Sequence, residues 1–304
     1  MILDVRNINK SFSGKQILFD VSFTVTAGKA MGFLGRNGAG KTTTIRTLMN
    51  VFKADSGDFL LDGKPFIASQ HRVGYLPEER GLYGKEKILD QLIYFGTLRG
   101  ASTAEARKSA EYWLNRFELT YANQHKLETL SKGNQQKVQI AQSLLNDPDI
   151  IILDEPFSGL DPVNSQVLKD VISEQIGKGK LVIFSSHQMN YVEEFCDEIS
   201  LIDQGHIILS GNLKTIKAEM GRQRLRLSVH DQTLDELKKI LNSHISNITI
   251  NQDQHSLIIQ LDEHKSKQCF LEELIQLKLD IDLFTNYEPS LNDIFVTKVG
   301  DDHA

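Results

Sequence analysis

The stretch Gly35-Arg36-Asn37-Gly38-Ala39-Gly40-Lys41-Thr42 reads G-x-x-x-x-G-K-T, and it follows the apolar run 30–34. A helix-compatible run begins at Thr42, so the order is strand, loop, helix, as a phosphate-binding loop requires. The glycines let the backbone turn tightly and aim successive N–H groups at phosphate oxygens. The N-terminus of the following helix adds partial positive charge. A glycine-rich turn with an unrelated lysine is the simpler alternative, and the context on both sides disfavours it.

Individual residues of this loop are candidates for nucleotide and metal binding. Lys41 is expected to reach the β- and γ-phosphates of a nucleotide, and the Thr42 hydroxyl is expected to ligate Mg²⁺. The nucleotide contacts predicted in this segment are Gly35, Asn37, Gly38, Ala39, Gly40, Lys41, Thr42 and Thr43.

Length and composition predict an ordinary globular protein. The 304 residues are 40% apolar and 24% charged, which suits one large domain or two. The net charge of −6 argues against nucleic acid as the main partner. No apolar run approaches the roughly 18–20 residues that span a bilayer, and we expect no signal peptide at the charged N-terminus. Cys196 and Cys269 lack metal-ligand spacing and are expected to be reduced thiols of a cytoplasmic protein.

Hydrophobic patterns predict an α/β first domain over about 1–220. Residues 2–9 and 17–25 alternate between apolar and polar side chains, as half-buried antiparallel strands do. The continuous apolar runs 150–153 and 181–184 are typical of buried parallel strands. Residues 43–52 are predicted to form a helix after the phosphate-binding loop.

Two further segments depart from this pattern. Residues 77–145 read as a helical subdomain, in which Ser102 and Glu105 form a capping-box pattern ahead of a helix. Trp113 lies on the expected buried stripe of that helix and is more simply explained by packing than by ligand binding. Residues 221–304 follow the order β-α-β-β-α-β, which predicts a small ferredoxin-like α+β domain.

Asp154 and Glu155 end the apolar run 150–153. Ligands bind at the carboxyl edge of open parallel sheets. One carboxylate can hold Mg²⁺ through its water shell, and the next can polarise an attacking water molecule. Acidic residues at a strand exit also occur without function, but the upstream phosphate-binding loop favours a functional pair.

Two helix starts follow from capping chemistry. Ser131 is a good N-cap residue for a helix beginning near Lys132. Asp161 is predicted to cap a helix with proline in its first turn. The apolar residues expected on the buried side of that second helix are Val163, Val167 and Val171.

Taken together, residues 1–220 resemble the nucleotide-binding subunit of ABC transporters. Leu130–Asn134 resembles the ABC signature, Asp154-Glu155 the Walker B pair, Ser158–Asp161 the D-loop, and His187 the switch histidine. The resemblance implies a P-loop NTPase core of the ABC ATPase type, with an antiparallel β subdomain and a helical subdomain. It implies ATP and Mg²⁺ as ligands.

The resemblance also implies roles for individual residues. Glu155 would act as general base, His187 would hold the γ-phosphate, and Lys41 would stabilise developing charge. Thr42 and Asp154 would hold Mg²⁺. Further ATP contacts implied by the family pattern are Phe12, Ser131, Gly133, Asn134 and Asp161.

Phe12 lies just before the turn between the first two predicted strands. Its spacing alone fits a core aromatic residue as well as an adenine-stacking one. In the family pattern it takes the adenine-stacking place that is usually held by tyrosine, which favours the functional interpretation.

The sequence departs from the family pattern at two motifs. Glu78 replaces the usual glutamine of the loop Gly74-Tyr75-Leu76-Pro77-Glu78-Glu79-Arg80. As a carboxylate it can approach Mg²⁺, but it adds negative charge beside phosphates, so either the metal holds it or it faces a membrane partner. The signature has Lys132 and Asn134 where glycine and glutamine are usual. The sequences of the Glu78 loop and the signature, together with the tail 287–295, resemble those of sodium- and drug-efflux ATPases.

The resemblance implies a homodimer that sandwiches ATP and docks on a separate integral-membrane permease, from the cytoplasmic face of the cell membrane. The helical subdomain and the Glu78 loop would form the coupling surface. The 221–304 domain would add dimer contacts, regulate, or simply stabilise the chain.

A soluble ATP-dependent switch is the alternative function. Ribosome-acting relatives carry two ATPase units in one chain, and chromosome-acting relatives interrupt the unit with long coiled coils; neither feature is present here. A third hypothesis is a nucleotide-binding regulator that does not hydrolyse ATP, and the presence of Glu155 and His187 disfavours it.

Overall fold

The computed structural model describes residues 1–79 and 81–301. Arg80 of the predicted Glu78 loop and residues 302–304 of the predicted second domain lie outside the described residues. The chain divides into two compact units, Met1–Leu213 and Lys214–Ala304. The second unit therefore begins ahead of the boundary near residue 220 that the sequence predicts.

Among its described residues, the first unit contains ten strands and six α-helices that lie wholly within it, besides three short 3-10 helices. Its strands are β1 (Ile2–Phe12), β2 (Lys15–Thr26), β3 (Ala30–Leu34), β4 (Ser56–Leu61), β5 (Lys64–Pro65), β6 (Val73–Leu76), β7 (Ile150–Asp154), β8 (Leu181–Ser186), β9 (Glu198–Asp203) and β10 (His206–Asn212). Its helices are α1 (Lys41–Leu48), α2 (Ile88–Leu98), α3 (Thr103–Arg116), α4 (Lys132–Ser143), α5 (Pro162–Gly177) and α6 (Met189–Phe195).

Two sheets make the framework of this unit. The antiparallel sheet has the strand order β2-β1-β4-β5, and the second sheet has the order β10-β9-β3-β8-β7-β6. In the second sheet only the β9–β10 pair is antiparallel. Its central strands β3, β7 and β8 are buried along their whole length, which explains their continuous apolar sequence. A core that includes Phe23 of β2, Phe33 of β3 and Ile45 of α1 joins the two sheets.

Helices α2, α3 and α4 form the helical part that the sequence predicts. The capping box of Ser102 and Glu105 is present at the start of α3. Trp113 is buried, and its indole N–H donates to the carbonyl oxygen of Leu144 at 2.9 Å. The buried position of Trp113 and its hydrogen bond to the backbone therefore agree with the interpretation that it is a packing residue.

Two local predictions are wrong. Helix α1 ends at Leu48 rather than at residue 52, because Asn50 adopts a left-handed conformation with φ of 57°. On α5, Val163 is 74% exposed. Val171 is buried as predicted and Val167 is half-buried, and the other buried residues of α5 are Ser165, Leu168, Ile172 and Gln175.

The second unit has a core of its own. Most of helix α7 (Leu213–Met220) belongs to it, and the remaining elements are β11 (Arg224–Val229), α8 (Leu234–His244), β12 (Ile248–Gln252), β13 (Leu257–Leu261), α9 (Lys267–Gln276), β14 (Ile281–Asn286) and α10 (Leu291–Asp301). The strands form an antiparallel sheet in the order β12-β13-β11-β14. Both the order of elements and the order of strands are ferredoxin-like, as predicted.

Across residues 1–79 and 81–301, the structure contains no helix with the length and apolar character needed to cross a membrane.

Candidate functional site

The predicted phosphate-binding loop joins the end of β3 to the start of α1. A Cβ atom at Gly35 would lie 2.3 Å from the carbonyl oxygen of Ile202, so no larger residue fits there. Gly40 has a φ of 114°, and a Cβ atom at this position would lie 2.8 Å from Cδ2 of Leu18. The glycines therefore serve close packing and a left-handed turn, which together shape the loop.

Lys41 is buried beside this loop. Its ammonium group donates to the carbonyl oxygens of Gly35 at 2.8 Å and Arg36 at 3.3 Å, and it lies 3.5 Å from Oε1 of Glu155. A cavity of about 130 Å³ opens at this point. The cavity is lined by Arg36, Asn37, Gly38, Gly40, Lys41, Thr42, Thr43, Glu78 and Glu155. Of the predicted loop contacts, Gly35 and Ala39 are buried and do not line it.

Asp154 ends β7 and is 1% exposed. Its Oδ1 accepts a hydrogen bond from the Ser185 hydroxyl, while Oδ2 has no hydrogen-bond partner among the described residues. Burial raises the pKa of Asp154, the nearby carboxylates of Glu78 and Glu155 raise it further, and the hydrogen bond from Ser185 acts in the opposite direction. A buried carboxylate oxygen without a partner fits a hard cation such as Mg²⁺.

Glu155 follows with an unusual backbone conformation. Its φ of 51° lies in the left-handed region, which is strained for a residue with a side chain. Its backbone N–H donates to the Ser185 hydroxyl oxygen at 3.1 Å. The side chain is buried, with Oε1 3.5 Å from Nζ of Lys41 and Oε2 2.9 Å from Nδ1 of His187. The structure thus brings together the three residues predicted to be catalytic.

Ser185 is a site residue that the sequence reasoning missed. It pairs with Asp154 across the parallel strands β7 and β8, and its hydroxyl contacts both Asp154 and the backbone of Glu155. The available signal was a serine at the carboxyl end of a buried strand, but its relevance depends on which strand lies next to it.

Glu78 lies with the other predicted metal ligands. The Thr42 hydroxyl donates to Oε2 of Glu78 at 3.1 Å, and both residues line the cavity. In the described part of the chain, no group of three or more His, Cys, Asp or Glu side chains is arranged to hold a metal ion.

The signature and D-loop residues form a second cluster. The Ser131 hydroxyl caps α4 by accepting the N–H of Asn134 at 3.3 Å, and Asp161 caps α5 by accepting the N–H of Asn164 at 2.9 Å. That backbone hydrogen bond lowers the pKa of Asp161. A Cβ atom at Gly133 would lie 3.4 Å from the carbonyl oxygen of Gly159, so the two motifs are adjacent. None of the predicted ATP contacts in this cluster lines the cavity beside Lys41.

Phe12 lies at the end of β1 and is 38% exposed. Its ring meets Phe52 edge-on, with 5.0 Å between ring centroids, and the Lys10 ammonium lies 5.2 Å from its centroid. Phe12 does not line the cavity, although Leu18 of the same β-hairpin packs against Gly40. Its role in adenine stacking remains a prediction.

Comparisons with known proteins identify the family of each unit. Residues 18–158 match the family model described as ABC transporter, and residues 211–299 match the one described as ATP-binding protein DrrA1-3-like, C-terminal domain. Members of this ATPase family bind ATP, typically with Mg²⁺.

Relatives and a solved structure extend the similarity over most of the chain. The uncharacterized ABC transporter ATP-binding protein YhaQ of Bacillus subtilis (strain 168) is 37% identical over 301 residues, which cover 98% of this chain and 99% of that protein. The daunorubicin/doxorubicin resistance ATP-binding protein DrrA of Streptomyces peucetius is 29% identical over 309 residues, covering 98% of this chain and 92% of that protein. A solved ATP binding subunit of an ABC transporter matches with a TM-score of 0.67 and 28% identity, covering 80% of this chain and 100% of that one. The chain therefore belongs to the ATP-binding proteins of ABC transporters and carries a DrrA-like C-terminal domain.

Proposed function

We propose that this chain hydrolyses ATP to drive a membrane exporter, as a dimer of identical copies docked on a separate permease at the cytoplasmic face of the cell membrane. The observation that carries the proposal is the chain of contacts from the buried Lys41 through the buried Glu155 to the exposed His187, beside the phosphate-binding loop. A cation and a carboxylate line the cavity, and an imidazole contacts that carboxylate, which supports phosphoryl transfer to water.

Glu155 is positioned to accept a proton from the attacking water. The Nδ1 atom of His187 contacts Oε2 of Glu155, so the opposite ring nitrogen remains for the γ-phosphate. Ser185 fixes the backbone from which Glu155 projects. Bound Mg²⁺ would neutralise phosphate charge, and Thr42 and Asp154 would hold it, with Glu78 as a further candidate.

Besides its ion pair with Glu155, Lys41 makes hydrogen bonds that are weaker than those to a phosphate. Its hydrogen bonds go to two neutral carbonyl oxygens of the loop. Phosphate oxygens make stronger, charge-assisted hydrogen bonds. We therefore expect Lys41 to exchange the Gly35 and Arg36 carbonyls for phosphate oxygens when ATP binds.

Dimerisation is proposed because the signature cluster and the cavity are separate in one chain. Ser131 at the N-terminus of α4 does not line the cavity beside Lys41. In a dimer, the N-terminus of this helix and Ser131 would bind the γ-phosphate held by the other copy. Hydrolysis would remove this contact, and the dimer would relax.

Export is proposed from relatives. DrrA is named for daunorubicin and doxorubicin resistance, and this chain shares both its ATPase family and its type of C-terminal domain. The helical part and the Glu78 loop would contact the permease, because Glu78 lines the cavity beside Lys41 and the helical part carries the signature helix α4.

The experiment replaces Glu155 by Gln and reconstitutes the chain with its co-purified permease in vesicles. We expect ATP binding to persist, hydrolysis to fall by about 10²-fold or more, transport to stop and a dimer to accumulate in saturating Mg·ATP. Asp58→Asn, on the exposed surface of β4 and outside the helical part, is the control. Continued transport by the Glu155 variant, or a variant that stays monomeric, would contradict the proposal.

A further inference from the structure

The second unit contains a cavity whose charged lining is mostly cationic. Its volume is about 680 Å³, which lies within the roughly 300–1,000 Å³ typical of small-molecule pockets. The charged residues that line it are Lys214, Lys217, Arg222, Lys267 and Glu288.

The positive charges are not balanced within the cavity. Lys217 and Glu288 pair at 3.0 Å, so they neutralise each other. Lys214, Arg222 and Lys267 then leave an excess of positive charge that no other lining carboxylate offsets. Because the whole chain has a net charge of −6, this local excess is the reverse of the overall balance. Like charges around one cavity repel each other, and an anion between them removes that repulsion.

The cavity is built on fixed backbone. Lys214 and Lys217 are three residues apart on α7 and therefore lie on one face of the helix. At the turn after α7, a Cβ atom at Gly221 would lie 2.3 Å from the carbonyl oxygen of Tyr287. Tyr287 is itself buried. The turn that carries Arg222 is thus packed directly against the segment after β14.

Lys267 occupies a position that the helix dipole disfavours. It is the first residue of α9, where the partial charge of the helix is positive. Its ammonium group donates to Oδ1 of Asn286, at the end of β14, which holds it at the cavity. A bound anion would compensate both the lysine and the helix N-terminus.

We propose that this cavity binds the phosphate groups of a small soluble molecule. Arginine and lysine together suit phosphate, since the guanidinium group donates two parallel hydrogen bonds and the ammonium groups act as point charges. The excess of positive charge favours a ligand with at least two negative charges, such as a diphosphate. This site does not depend on the proposed ATPase function.

The test measures binding of inorganic pyrophosphate to the full chain by calorimetry. Lys41→Ala removes the main cation of the phosphate-binding loop, so the remaining binding reports on the second unit. We expect one site per chain to persist in Lys41→Ala. Adding Lys214→Gln, Arg222→Gln and Lys267→Gln should weaken it about tenfold or more. Raising the salt concentration should also weaken it.

The matched control removes three positive charges elsewhere in the same unit, by Lys238→Gln, Lys239→Gln and Lys298→Gln, on the Lys41→Ala background. The cavity variant leaves the Lys217–Glu288 pair in place, and thermal unfolding verifies that each variant is folded. Equal pyrophosphate affinity in cavity and control variants would overturn the proposal.

A second experiment tests whether the phosphate groups that bind the cavity belong to a soluble molecule or to a membrane lipid. The full chain is mixed with phosphatidylglycerol vesicles and with phosphatidylcholine vesicles, and bound protein is measured by flotation. Binding of pyrophosphate supports the proposal. Binding only to phosphatidylglycerol vesicles would assign these cations to a lipid surface and overturn it, and so would binding to neither probe.

Discussion

Asp154 combines burial with an oxygen that has no hydrogen-bond partner among the described residues, and burial is the main cause of its raised pKa. A carboxyl group whose pKa is raised in the folded state binds its proton more tightly there than in the unfolded chain. Its favourable contribution is therefore present below the unfolded pKa of roughly 3.9 and is lost as the pH rises through the folded value. At neutral pH the ionised side chain destabilises the fold.

We predict that Asp154→Asn increases the free energy of unfolding at pH 7.5, because it removes a buried charge. Each kcal/mol gained corresponds to about 2–4 °C in melting temperature. The gain should shrink as the pH falls towards 4, where the wild-type carboxyl group takes up its proton. Urea unfolding across this range is the measurement, with the exposed Asp58→Asn as control. A less stable Asp154 variant at pH 7.5 would contradict this account.

Glu78 provides a prediction about metal binding. Its carboxylate accepts a hydrogen bond from Thr42 and lines the cavity. If it helps to hold Mg²⁺, Glu78→Gln should raise the Mg²⁺ concentration for half-maximal ATPase activity about tenfold or more. The neighbouring Glu79 is the matched control, since its exposed side chain lies 3.4 Å from Arg46 instead. An unchanged Mg²⁺ requirement with weakened transport would indicate that Glu78 faces the permease.

Helix α5 depends on its N-terminal cap. Asp161 accepts hydrogen bonds from both the backbone and the side chain of Asn164. Asp161→Ala should lower stability by about 1 kcal/mol, and Asp161→Ser should restore most of it because serine also caps helices well. We expect ATPase activity to stay low in both variants, since the proposed nucleotide contact uses the carboxylate. Recovery of activity in Asp161→Ser would show that Asp161 acts only as a helix cap and does not contact the nucleotide.

Helix α6 is held near the cavity by an aromatic stack. Tyr191 lies four residues after His187, and its ring stacks on Phe157 with 4.4 Å between centroids. We predict that Tyr191→Ala lowers kcat about tenfold or more, with a smaller effect on KM for ATP, because His187 is displaced from Glu155. Tyr191→Phe keeps the stack and should retain activity, as should Tyr94→Ala at an exposed position. Equal loss in Tyr191→Ala and Tyr191→Phe would contradict a role for the stack.

The two units have separate hydrophobic cores. One core joins the sheets around the phosphate-binding loop, and the other lies between the second unit's sheet and its helices, with Leu237 and Phe270 at its centre. Separate cores allow separate unfolding transitions.

We therefore predict two calorimetric unfolding transitions, and we expect ATP to raise the midpoint temperature of only the one that belongs to the first unit. Mg·ATP at about 100 times its Kd should add about 2.7 kcal/mol to the first unit. Glu155→Gln is used so that ATP is not consumed, and Lys41→Ala, which should lose the shift, is the control. A single transition, or equal shifts in both, would contradict the independence of the units.

Features with local causes were predictable from the chain alone. The phosphate-binding loop, the caps at Ser102, Ser131 and Asp161, and the buried strands follow from glycine conformations, hydrogen bonds to nearby backbone and apolar runs. The order of elements in the second unit followed from the same signals. The family pattern added the expected roles of distant residues such as Glu155 and His187, and the structure added their contact.

Other features depend on which elements become neighbours. Ser185 supports Asp154 and Glu155 because β8 lies beside β7. The cavity of the second unit has a cationic lining because Lys214 and Lys267, which are distant in sequence, both line it. Val163 is exposed although its spacing fits an apolar stripe. Strand register and helix facing arise from packing over the whole chain, so the local sequence determined the motifs and the tertiary structure alone decided their surroundings.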